Sequence, residues 1–158
     1  MREALLRAIV SRVCCGLSLL LFFTAGSAVW PEGAGFSVGG TITYDNTGPL
    51  YVKLLDKAQF ERDVSGKDSL SPFILKIETV SGKSGKKSLP FNFDGVPKGS
   101  YAISAFQDVN GDGKLGMGLF GPTEPWDMYR VRPSFKPVFK NVSFDLTGDM
   151  RDIRLVLK

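Results

Sequence analysis

Histidine is missing altogether from this 158-residue chain, and cysteine is confined to Cys14 and Cys15. Without imidazole, no Ser-His or Cys-His nucleophile pair can be assembled and no histidine can ligate zinc. Nor is there a side chain whose ordinary titration falls near neutral pH. The chemistry left belongs to carboxylates, lysines, tyrosines and hydroxyls. Long apolar runs are missing too. The stretch from Cys14 to Phe23 is about ten residues, and a bilayer core of roughly 30 Å needs about twenty. Net charge is only +4, which is no nucleic-acid footprint. The local cluster Lys83, Lys86 and Lys87 is interrupted by serine and glycine with no aromatic between, as in a solvated loop.

The first 28 residues read as a secretory signal peptide. Arg2, Arg7 and Arg12 precede the apolar run, and Ala25-Gly26-Ser27-Ala28 follows it. That order predicts cleavage after Ala28. An uncleaved N-terminal anchor is the alternative. Both cysteines open the apolar run rather than follow it, which argues against a lipoprotein cysteine. Cleavage would leave residues 29–158 as one cysteine-free domain of net charge +2, since three arginines and one glutamate go with the leader. Its folding could not depend on disulfides. The expected destination is periplasm, cell surface or medium, with no membrane span after cleavage.

Period-two alternation recurs seven times in those residues. The segments are "FSVGGTITY", "LYVKLLD", "FILKIETV", "SLPFNFDGV", "YAISAFQD", "VFKNVSFDL" and "DIRLVLK". Turn residues separate them at 45–49, Asp94-Gly95, Pro97-Lys98-Gly99 and Thr147-Gly148-Asp149. Seven short strands without a long helical pattern predict an all-β, antiparallel seven-stranded sandwich. Its core should hold Val52, Leu75, Phe91, Phe93, Ile103, Phe144 and Leu155. "LLDKAQFERDV" has room for one helical turn. The glycine- and proline-rich stretch 111–137 lacks alternation and reads as one long structured loop over an end of the sandwich.

That loop begins with "DVNGDGKLG", residues 108–116. Asp108, Asn110 and Asp112 occupy alternate positions, Gly113 supplies a bend, and the Lys114 carbonyl follows. This is the order in which a calcium loop presents hard oxygens to a cation wanting six to eight of them. Leu115 fits the apolar slot that anchors such a loop. The twelfth position, which should be a bidentate acid, is Leu119, so Glu124 or a water must close the shell. Asp, Asn and Gly also make ordinary tight turns, and a bare D-x-N-x-D-G match is a weak signal. Calcium is the expected cofactor, and the metal-free turn is its alternative.

Two other readings belong to the same stretch. Phe120, Trp126 and Tyr129, with Arg130 and Arg132, could bind a glycan or peptide, although aromatics more often fill a core. Asp108, Asp112, Glu124 and Asp127 could in principle include a carboxylate pair for glycoside hydrolysis. All four serve equally as metal ligands or turn residues, and the expectation is a protein that is not an enzyme. Its partner would be a protein, peptide or glycan at the cell envelope.

"GGTITYDNTGPLYVKLLD" resembles the opening of transthyretin-like, carboxypeptidase-regulatory-like sandwich domains. "FDGVPKGSYAISAFQDVNGDGKLG" resembles a widespread family of small exported bacterial proteins of unknown function. The matching positions are Gly95, Pro97, Gly99, Tyr101, Asp108, Asn110, Asp112 and Gly113. "GPTEPWDMY" and the last two strands extend the likeness over nearly all of the chain after the leader. The resemblance implies a transthyretin-like sandwich and no assigned activity, and a fold alone licenses none.

Overall fold

Each of the seven alternating segments carries a strand in the computed structural model, which describes residues 35–79, 85–131 and 136–158. The leader reading for residues 1–28 and the position of Arg132 lie outside the described residues. The strands are β1 (Phe36–Tyr44), β2 (Leu50–Leu55), β3 (Ile74–Ile77), β4 (Lys87–Val96), β5 (Gly99–Gln107), β6 (Met117–Gly118), β7 (Gly121–Pro122), β8 (Trp126–Met128), β9 (Phe144–Leu146) and β10 (Met150–Val156). One sheet has the order β10-β1-β4 and a second the order β3-β2-β5-β8, with β9 also pairing β5. All pairings are antiparallel except β1 with β10, which run parallel. The chain is therefore all-β in character, but not purely antiparallel.

Alternation decides which side chains meet. Val38 and Ile42 of β1, Val52 and Leu54 of β2, Phe91 and Phe93 of β4, Ile103 of β5 and Leu155 of β10 share one buried apolar cluster. Both sheets thus contribute one face to the same core. Six of the seven expected core residues are buried, and Leu75, on the short edge strand β3, packs half-buried against them. The Phe93 ring sits edge-on to Phe73 and Phe91, at 6.2 and 6.3 Å, a favourable arrangement for aromatic pairs.

The opposite face of the second sheet is covered by helices. Leu55 and Ala102 are one residue out of phase with Leu54 and Ile103, so they point the other way. They pack with Phe60, Met128 and Val142 in a second cluster. Phe60 belongs to α1 (Lys57–Asp63) and Val142 to the single turn α2 (Phe139–Val142). Helix α1 starts at a reciprocal capping box. The Asp56 side chain accepts from Gln59 N at 2.8 Å, and the Gln59 side chain accepts from Asp56 N at 3.0 Å. Val142 was expected to open a strand. It instead ends a helical turn that sets its side chain beside Phe60, and pairing starts two residues later.

The stretch 111–137 also departs from the expected uninterrupted loop. It contains β6, β7 and β8. Strand β8 extends the second sheet by pairing Ser104 with Met128 and Phe106 with Trp126. Three residues are too few for alternation to stand out in a sequence.

Candidate functional site

Strand β5 runs inward-facing through Tyr101, Ile103 and Ala105, and the same parity buries Gln107. Its Nε2 donates to the carbonyls of Asn46 and Gly48 at 2.7 and 3.2 Å, while its backbone N donates to Pro125 O at 2.9 Å. Gln107 therefore ties the 45–49 turn and the start of β8 to the end of β5. The turn is drawn in close. A Cβ on Gly48, whose φ is 119°, would collide with the Asp108 carbonyl oxygen. The sequence reading passed over both residues. Gln107 was visible in principle, as a polar side chain in phase with the core face.

Asp108 leaves the strand 2% exposed. Its Oδ1 accepts from the amides of Gly111 and Asp112 at 2.7 and 3.2 Å, and its Oδ2 from Gly113 N at 2.8 Å. The chain wraps around this carboxylate, which requires left-handed backbone at Gly111 (φ 81°) and Gly113 (φ 75°). Asn110 Oδ1 accepts from the same Asp112 amide at 3.0 Å, Asn110 Nδ2 donates to Asp112 Oδ2 at 3.1 Å, and Asp112 Oδ1 accepts from Lys114 N at 2.8 Å. These are successive Asx turns. They bring the oxygens of the three alternate side chains into one turn.

Glu124 arrives from β8's side of the loop, 7% exposed. Its Oε1 accepts from the amides of Val109 and Asn110 at 2.8 and 3.3 Å, and its Oε2 from Gly116 N at 3.0 Å. Six backbone amides thus point at two buried carboxylates. Charge-assisted bonds of this kind are short and about twice as strong as neutral ones. Thr123 N donates to Gly116 O at 2.9 Å, and β6 and β7 pair Met117 with Pro122 and Gly118 with Gly121. The result is a closed base with a two-residue hairpin turn, Leu119-Phe120, beyond it.

The expected site residues fall into two groups. Asp108, Asn110, Asp112, Lys114 and Glu124 are brought together. A carboxylate offers about four lone-pair positions, so Asp108 and Glu124, with three amides each, retain about one apiece. Among the described residues no three His, Cys, Asp or Glu side chains form a metal-holding group. The loop's own donor set is two aspartates, an amide oxygen and carbonyls, which suits calcium and not zinc.

The aromatic group is split. Phe120 and Leu119 are fully exposed at the hairpin turn, whereas Trp126 packs against the second apolar cluster and Tyr129 against the first. Tyr129 meets Phe144 edge-on at 5.8 Å, with the Arg130 guanidinium over its other side at 5.3 Å. A three-aromatic platform is not formed, because β8 pairs with β5 and turns Trp126 and the chain after it onto the sheet. Leu115 is half-buried and belongs to neither apolar cluster, so the loop is anchored by its carboxylates and not by that leucine. Asp127 is engaged elsewhere, accepting from Val156 N at 2.7 Å. A cavity of about 320 Å³ opens between Tyr44, Lys86, Pro125 and Leu157, and none of the four acids considered for hydrolysis lines it.

These features define a β-rich module with a carboxylate-organised loop at the end of one sheet. The chain belongs to the bacterial family described as "Uncharacterized protein conserved in bacteria (DUF2141)", which matches residues 42–154. No curated protein and no solved structure matches it.

Proposed function

We propose that this is an exported, non-catalytic sandwich module of transthyretin-like type whose 108–124 loop binds calcium. Asp108, Asn110, Asp112 and the Lys114 carbonyl would supply oxygens, with Glu124 closing the loop. The observation that carries the reading is that Asp108 Oδ1 and Asn110 Oδ1 lie 3.2 and 3.0 Å from the same nitrogen, Asp112 N. Alternate side-chain oxygens are thereby gathered, as a cation loop requires. The cation would hold the connection between β5 and β8, and so the hairpin beyond it. Export is read from the Arg-rich, short apolar N-terminal segment.

A loop with so few acids belongs in the weak range of extracellular modules, about 10⁻⁴–10⁻³ M. A cation that binds only the folded chain adds about 2.7 kcal/mol at a hundredfold excess over Kd. Calcium titrated into the protein at constant ionic strength should therefore raise its melting temperature by several degrees. Asp112→Ala, an exposed position, should remove that rise while leaving the calcium-free melt almost unchanged. A melting curve that millimolar calcium does not move would reduce the loop to a metal-free turn. Glu124→Ala separates closure by this acid, which predicts loss of the rise, from closure by water, which predicts its retention.

A second reading has one observation in its favour. Phe120 is fully exposed, so a contact with a protein, peptide or glycan partner at the cell envelope would run through the hairpin turn. Trp126 and Tyr129 would serve only as its support.

A further inference from the structure

Half of the large exposed apolar side chains among the described residues, Val109, Met117, Leu119 and Phe120, lie on the 108–124 loop. Leu119 and Phe120 are the two turn residues of the β6–β7 hairpin, exposed 97% and fully. They project beyond a base that Glu124 and the Gly116–Thr123 bond hold in shape. Apolar burial there would cost little further ordering entropy, which is how preorganised anchors gain affinity. Such a tip, with solvent on all sides, suits a medium it can penetrate.

The same end of the two sheets carries lysines. Tyr44 pairs with Lys87 and Thr43 with Val156, while Trp126 N donates to Lys158 O. The start of β4, the end of β10 and the start of β8 are therefore neighbours. Lys86, Lys114 and Lys158 are exposed at this end. Of the carboxylates there, Asp108 and Glu124 are turned inward onto amides. The exposed Asp45 and Asp112 each accept a backbone amide, from Gly85 and Lys114. Lysine is depleted from protein–protein interfaces, but at a membrane surface its apolar stem and charged head suit the boundary between tails and headgroups.

We propose that the Leu119–Phe120 turn inserts into the interfacial layer of a bilayer containing anionic phospholipid, with Lys86, Lys114 and Lys158 against headgroup phosphates. The contact is peripheral, and it stands on the hairpin and the lysines whether or not the loop holds calcium.

The test uses the full chain with vesicles of phosphatidylglycerol and phosphatidylcholine. Phe120→Trp puts an indole at the turn, and the unsubstituted chain, with Trp30 and Trp126, provides the baseline. The added indole should shift to the blue and be quenched by lipids brominated on their tails. Free inorganic phosphate should not reproduce the shift. The double substitution Leu119→Asp/Phe120→Asp should weaken vesicle binding by about a hundredfold or more. Lys86→Gln should weaken it roughly fivefold, and more at low salt than at high.

Vesicle binding that leaves the added indole unquenched would overturn the proposal, because the chain would then be attaching through another segment. So would failure to bind anionic vesicles. A blue shift that grows with protein concentration in the absence of lipid would assign the tip to a second copy. A shift seen only with added envelope protein would assign it to a protein partner. Either result also overturns the proposal.

Discussion

Strand β5 belongs to two regions held by opposite means. Along its length, Tyr101, Ile103 and Ala105 enter the shared core of the two sheets, where Val52, Leu54, Ile42 and Leu155 are fully buried. Just past its end, Asp108 is buried as deeply, yet its neighbours are amides rather than methyl groups. The core gains from area removed from water, in proportion to apolar surface. The loop gains from pairing polar groups that would be costly to bury unpaired. The first kind of stability is spread over many residues and tolerates conservative change. The second rests on two carboxylates and is lost stepwise.

The sharpest break in that comparison comes from the core side. Phe93→Ala removes a ring that touches Phe73 and Phe91 and should cost roughly 3–5 kcal/mol in urea unfolding. A cost below about 1 kcal/mol would mean that the β4 face is not where the two sheets meet. On the loop side, Asp108→Ala strips the amides of Gly111, Asp112 and Gly113 of their acceptor, for about 2–4 kcal/mol. Asp108→Asn, which keeps one acceptor oxygen, should recover about half of that loss. Hydrogen exchange at Gly111–Gly113 should accelerate in both variants, with the core strands unaffected in rank. Exchange unchanged at those three glycine and aspartate amides would show that the loop is held by something else. The smallest effect belongs to the tip: Phe120→Ser should change stability by less than about 0.5 kcal/mol, because nothing packs on that ring. A larger loss would return Phe120 to the core side of the comparison.

Two further groups mark the contrast electrostatically. Burial raises the Tyr101 pKa, and its hydroxyl donates to Pro97 O at 3.0 Å. A raised folded pKa means that its stabilisation is present below the unfolded value and lost as pH rises through the folded one. Asp94, at the surface, is lowered first by the Ser37 hydroxyl and then by Asn92. Its small contribution runs the other way, present above the unfolded value and lost as pH falls through the folded one.

Local periodicity alone was enough to locate seven strand segments and to sort their faces, because neighbours two residues apart share a side whatever the sheet's partners are. It also selected Asp108, Asn110, Asp112 and Gly113, since Asx turns and left-handed glycines are short-range events. Partnership is different. That β1 runs parallel to β10, that Glu124 crosses eight residues to reach Gly116 N, and that Trp126 turns inward while Phe120 stays outside are long-range outcomes. So is the burial of Gln107 beneath the 45–49 turn. Each depends on which elements pack together, and that is decided by burying the most apolar area with every buried amide paired, a balance struck over the whole chain and not within any short window of it.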